Sequence, residues 1–185
     1  EDETGRIQLF GADGADPDIL NVSRFVTGVV VALGGKTKDV GPTMLADGTA
    51  NIIAACKANG VKRISVVTTI GAGDSMDQAP WAFKLLMMTV MSSIMADKNA
   101  QEGVVTSAGA DLEYCIVRPG GLKATPPTGE LVVAKEDTLN AGEVSRDLVA
   151  DVCVAALFDG KSTNKVVEII EGDGSPKLPE SKWFA

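Results

Sequence analysis

Short runs of consecutive apolar residues alternate along the chain with longer stretches in which apolar positions recur every three or four residues. "GVVVALGG" (28–35), "VKRISVVTT" (61–69), "LEYCIVRPGG" (112–121) and "NKVVEIIEG" (164–172) are runs of the first kind. They are too continuously apolar for strands with one wet face and read as parallel strands covered on both sides. "RIQLFG" (6–11) is a further short strand, and "GELVVAKED" (129–137) is one outside the main rhythm. Helical spacing appears in "DPDILNVSRFV" (16–26), where Asp16 is the N-cap and Pro17 the first helical residue. It recurs in 41–60, with Leu45, Ile52, Ile53 and Cys56 on one face and Asn59-Gly60 as the stop. A long helical stretch runs from Trp81 to about Ser107, and Ser145 caps another over 146–160.

Strands joined by helical crossovers predict an α/β fold with a Rossmann-like, doubly wound and mainly parallel sheet. Residues 1–172 form that domain and 173–185 a polar, proline-containing tail. In such sheets ligands gather at the carboxyl ends of the strands. Three predicted strands end in small or hydroxyl residues, Gly34-Gly35, Thr68-Thr69 and Pro119-Gly120-Gly121, which would border one crevice.

Composition narrows the chemistry. The 185 residues carry 17 Lys and Arg against 25 Asp and Glu, a net charge of −8, which gives nucleic-acid binding little electrostatic support. There is no histidine, so Ser-His-Asp and Cys-His catalysis are excluded. Cys56, Cys115 and Cys153 each sit in apolar stretches and read as reduced buried thiols, not as a disulfide or metal framework; no metal site is expected. The stretch "WAFKLLMMTVMSSIMA" (81–96) is apolar nearly all round but too short to span a membrane. It reads as a cover for the sheet and pocket, with a Met-rich contact to a partner or a membrane surface as the alternative. Lys84 reads as a solvated helix lysine before it reads as a donor to the crevice. "KWFA" docks either on its own domain or on a partner.

Taken in order, "VVVALGG", "GTANIIAACKANGVKRISVVTTIGAG", "SAGADLEYCIVRPGGL" and "VSRDLVADV" resemble the atypical short-chain dehydrogenase/reductase family. The likeness is strongest to the NAD(P)H-binding branch that includes flavin/biliverdin reductase B and plastid NAD(P)-binding proteins. It runs from about Arg6 to Glu171. The resemblance implies an NADP or NAD cofactor, with Asp13 and Gly14 beside the adenine. Leu33, Gly34 and Gly35 would flank the adenosine ribose and pyrophosphate. Thr68 and Thr69 would lie near the nicotinamide, Thr69 as the catalytic contact, and Pro119, Gly120, Gly121 and Leu122 near the carboxamide.

Two departures stand beside the likeness. The family opens with a Gly-x-x-Gly-x-x-Gly turn that seats the pyrophosphate, whereas this chain opens on Glu1, just before the family's third strand. The start is therefore expected to be processed, truncated or completed by another chain. Tyr-x-x-x-Lys, the acid/base pair of the main family, is absent: the one tyrosine, Tyr114, lies in a predicted buried strand. Gly71 and Gly73 do not replace the phosphate turn, because Met76 stands where its third glycine belongs. The reading is an NAD(P)H-binding reductase-like protein that transfers hydride to a small carbonyl, quinone or flavin-type acceptor. The alternatives are a non-catalytic subunit of a larger complex that keeps the fold, or a nucleotide sensor. A reducing compartment is expected, plastid or cytoplasm.

Overall fold

The computed structural model describes residues 27–34, 41–127, 130–135, 142–172 and 183–184. The expected strand 6–11, the helix 16–26 and most of the tail lie outside these residues. In chain order the first elements are β1 (Val29–Val31), α1 (Met44–Ala58), β2 (Arg63–Val67), α2 (Trp81–Met88) and α3 (Ser92–Thr106). There follow β3 (Glu113–Pro119), β4 (Gly121–Lys123), β5 (Glu130–Lys135), β6 (Glu143–Ser145), α4 (Arg146–Phe158) and β7 (Lys165–Gly172).

The main sheet has the order β1-β2-β3-β7-β5. Its first four strands are parallel, with Val31 beside Val66, Val66 beside Ile116 and Ile116 beside Val166. β5 runs antiparallel along the far edge of β7. β4 and β6 form a separate parallel pair. Successive strand residues point to opposite faces, and the two cores divide accordingly. Ile64, Val66 and Ile116 face α1 and α3, packing with Ile53, Cys56 and Val105. Cys115, Val117, Val167 and Ile169 face α4, packing with Val149, Val152 and Ala156. Trp183 and Phe184 are buried in this second core, so these two residues of the tail pack on the domain itself.

The expected caps are in place. Gly60 closes α1 at φ +70, and Ser145 Oγ accepts the Leu148 amide at the start of α4. α1 opens on an unexpected cap: both carboxylate oxygens of buried Asp97, on α3, accept its first amides, Leu45 at 2.8 Å and Ala46 at 3.0 Å.

The long helix expected over 81–107 is two helices. Thr89 leaves helical geometry at φ −112, ψ −84, and its hydroxyl donates back to the Leu85 carbonyl at 2.7 Å. The break turns α2 away from the sheet. Only Met87 of α2 is buried, in a small cluster with Ala72, Ala79 and Met95. Trp81, Leu85, Met88 and Val90 are 81, 59, 68 and 70 % exposed. The expectation that 81–96 covers the sheet and lines the pocket is thus corrected: α3 does the covering, and α2 is a protruding apolar helix.

Candidate functional site

A cleft of about 640 Å³ opens at the carboxyl ends of β1 and β2, between them and α4. Leu33 and Gly34 border it from the end of β1, Thr68 from the end of β2 and Leu122 from β4. A Cβ at Gly34 would meet nothing within 4 Å, so the backbone there faces open space. α4 contributes Arg146, Val149 and Cys153, and α3 contributes Lys98.

Thr68 is the junction between the cleft and a buried polar network. Its carbonyl accepts the Lys98 ammonium at 3.2 Å, and its hydroxyl donates to Glu102 Oε1 at 2.7 Å. Glu102 is gripped in turn by Arg118, Nε to Oε1 at 3.1 Å and Nη2 to Oε2 at 2.7 Å. The remaining Arg118 nitrogen, Nη1, donates to Asp74 Oδ1 at 2.6 Å and stands 3.9 Å from Glu168, which is fully buried. A buried guanidinium held by carboxylates on a bidentate fork is the geometry that offsets its desolvation.

The glycines after β2 serve this network. Gly73 sits at φ +60, and a Cβ there would fall on the Arg118 guanidinium and 2.7 Å from Glu102 Oε2. Its amide donates to Asn99 Oδ1 at 2.8 Å, and the Gly71 amide donates to Ser75 Oγ at 2.8 Å. The turn is therefore a clamped roof over Arg118. A similar close approach explains Gly120, whose Cβ would fall on the Gly142 carbonyl oxygen where β4 leaves the main sheet.

Electrostatics separate the groups of the cleft. Burial lowers the Lys98 pKa, while the charges of Glu102 and Asp97 oppose that shift. Burial pushes the Cys153 thiol up to about 11 and that of Cys115 up to about 12, so neither is a nucleophile; all three cysteines are free and buried, as expected. Lys84 pairs with Asp77 at 2.7 Å and does not border the cleft.

Of the residues assigned by sequence, Leu33, Gly34, Thr68 and Leu122 come together in the cleft. Thr69 is half-buried beside it, its hydroxyl donating to the Ile70 carbonyl at 3.2 Å. Pro119, Gly120 and Gly121 lie behind the lining: the Pro119 carbonyl accepts the Ile70 amide at 2.9 Å, and the Gly121 amide donates to the Gly142 carbonyl at 2.8 Å. Asp13, Gly14 and Gly35 lie outside the described residues. The residues missed are Lys98, Glu102, Arg118 and Arg146. Arg118 carried a signal, being a charge directly after the apolar run Cys115-Ile116-Val117. Lys98 and Glu102 are four apart and so share one face of α3.

These features agree with the comparisons to known proteins. Residues 3–160 match a family model described as NAD(P)H-binding. An uncharacterized chloroplastic protein of Arabidopsis thaliana is 39 % identical over 143 residues, 75 % of this chain and 49 % of that protein. Protein TIC 62, chloroplastic, of Oryza sativa subsp. japonica is 31 % identical over 182 residues, 92 % of this chain and 35 % of that protein. The chain thus spans about half or less of these two relatives. The oxidoreductase ylbE of Lactococcus lactis superposes with a TM-score of 0.66 at 18 % identity, over 85 % of this chain and 66 % of the other. The anaerobillin reductase ChuY of Escherichia coli O157:H7 superposes with a TM-score of 0.62 at 23 % identity, over 80 % and 66 %. A short-chain dehydrogenase/reductase of Veillonella parvula in complex with NADP gives 0.59 at 18 %, over 72 % and 62 %. The parallel sheet with its cleft at the strand ends, and a family match over most of the length, place this chain in the NAD(P)H-binding family.

Proposed function

We propose that the protein is a reductase of the atypical short-chain type, in which the cleft beside Thr68 and Lys98 holds the nicotinamide end of NADPH or NADH next to a small carbonyl, quinone or flavin-type acceptor. The observation that carries this reading is the cleft itself, placed at the carboxyl ends of β1 and β2 as doubly wound folds place their ligands. Its residues suit the group. Val149 gives an apolar wall, and the Lys98 ammonium and the Thr69 hydroxyl are polar groups at or beside the rim. Leu33 and Gly34, the latter with its backbone open to close approach, would flank the adenosine ribose and pyrophosphate at the same cleft. The bound nicotinamide supplies the hydride. This chain supplies position and shelter from water. Asp13, Gly14 and Gly35 would serve the adenosine half, and Pro119, Gly120 and Gly121 fix the loop that carries Leu122. The chloroplastic relatives favour a plastid location.

The test is a titration with NADPH and, separately, NADH, following nicotinamide fluorescence, then turnover with quinone and flavin acceptors. Binding in the micromolar range with turnover is expected. No binding of either nucleotide removes the reading, and binding without turnover leaves the nucleotide sensor. A second reading, a subunit of a larger assembly, is favoured by α2 and the turn after it, where exposed Trp81, Leu85 and Met88 of the helix and Val90 of the turn exceed what an isolated surface helix needs. Under that reading Leu85→Gln with Met88→Gln releases the protein from its assembly without changing nucleotide affinity.

A further inference from the structure

Lys98 and Arg146 are the charged residues of the cleft lining; both are cations, and no carboxylate lines the cleft among the described residues. This is an inversion of the chain as a whole, which carries a net charge of −8. The acids nearest Lys98 on α3 are engaged elsewhere. Asp97 accepts the Leu45 and Ala46 amides, and Glu102 is held by Arg118 and Thr68. Among the described residues Lys98 itself makes one hydrogen bond, to the Thr68 carbonyl, which leaves two of its three donors unused there. Arg146, the first residue of α4, is exposed and makes no hydrogen bond or ion pair among the described residues. The rest of the wall, including Leu33, Leu122 and Val149, is apolar.

We infer that Lys98 and Arg146 receive the acidic group of the acceptor, so that the molecule reduced here is an apolar or aromatic body bearing a carboxylate. A lysine with donors to spare and an arginine with no partner, both among the described residues of an acidic chain, concentrate an anion at the cleft. Arginine's planar fork suits a carboxylate bidentately, and lysine adds a second, flexible donor. Phosphates of the dinucleotide share this chemistry as anionic oxygens, but the apolar walls suit a hydrophobic body better than a polyphosphate. The inference rests on the reductase reading for the word acceptor. The recognition of the anion stands on the cleft alone.

The experiment is calorimetric titration of the protein with 2-naphthoate and with its neutral isostere 2-naphthamide, repeated with saturating NADPH. The variants are Lys98→Gln, Arg146→Gln, the double variant and the charge-keeping Lys98→Arg and Arg146→Lys. Naphthoate is expected to bind roughly tenfold or more tighter than naphthamide, the size of one charge-assisted hydrogen bond. That preference disappears in the double variant, survives in the charge-keeping ones and persists with NADPH bound. Equal affinity for the two probes, no naphthoate binding at millimolar concentration, or an unchanged preference in the double variant each overturns the inference. So does a tenfold loss of NADPH affinity in Arg146→Gln with naphthoate displaced by NADPH, which assigns the cations to the cofactor. If NADPH fails to bind the wild-type protein, the reductase reading falls, and the naphthoate preference still decides whether the cleft selects an anion.

Discussion

Gly73→Ala isolates what the glycine turn does. Gly73 is at φ +60 and Gly60 at φ +70, so an alanine at either site bears a similar left-handed strain, about 1–2 kcal/mol. They differ in surroundings. A Cβ at Gly60 meets nothing within 4 Å, whereas at Gly73 it falls on the Arg118 guanidinium and 2.7 Å from Glu102 Oε2. Arg118 cannot swing aside cheaply, because Glu102 holds it on two nitrogens and Asp74 on a third. Making room breaks at least one buried charge-assisted hydrogen bond, a further loss of about 1.5–3 kcal/mol. Gly60→Ala should therefore cost about 1–2 kcal/mol and Gly73→Ala about 2.5–5 kcal/mol. Urea unfolding followed by circular dichroism, with the slope m unchanged, measures both. If the two variants lose the same stability, the turn is a simple strand end and the clamp on Arg118 contributes nothing.

Two further outcomes follow from the same contacts. Asp97→Ala leaves two helix-opening amides of α1 without their cap and should cost about 2–3 kcal/mol; amide exchange should quicken in the first turn of α1 while α4 is unaffected. The hydrogen bond and charge of Arg118 hold the Asp74 carboxyl below its ordinary range, so its contribution is present above the unfolded carboxylate pKa, about 3.9, and is lost as pH falls through the lower folded value. Asp74→Asn should accordingly flatten the loss of stability with acid below about pH 4, and cost about 0.5–1 kcal/mol at neutral pH because the carboxylate is half exposed; unfolding midpoints across pH 2–7 check both.

The sheet was legible because its strands are covered on both faces, so Ile64, Val66, Ile116 and Val167 form runs that few other structures would bury. Caps were legible for the same local reason: Ser145 bonds an amide three residues on. Asp97 was not, because the amides it caps are 51 and 52 residues away in sequence and no local pattern announces them. The break at Thr89 was hidden too. Nothing between Met88 and Met91 forbids a helix, and what bends the chain is the return of Met95 to a cluster with Met87, a tertiary contact. At the site, strand-end residues such as Leu33, Gly34 and Thr68 could be found from where strands stop. Lys98 and Arg146 reach the cleft from α3 and α4, so finding them required knowing which helix faces meet there.

Thr68 ties the clamp to the cleft, which gives the clamp an effect on ligand binding beyond stability. Lys98 faces two charges, Glu102 and Asp97, both from its own helix, and shares the cleft lining with Arg146. Burial lowers its pKa, and the two carboxylates limit the fall. Glu102→Gln removes one of those carboxylates yet keeps an oxygen that can accept the Thr68 hydroxyl. The Lys98 ammonium then loses its proton at a lower pH than in the parent. Naphthoate affinity, which depends on that charge, should fall away at a lower pH in Glu102→Gln, whereas naphthamide affinity should stay flat across the same range. Arg118→Lys leaves the Glu102 side chain in place while breaking the bidentate fork, so it should destabilise the fold and leave the alkaline limb of naphthoate binding in place. Should both variants move that limb equally, its position reflects general loosening of the fold, and Glu102 has no direct hold on Lys98.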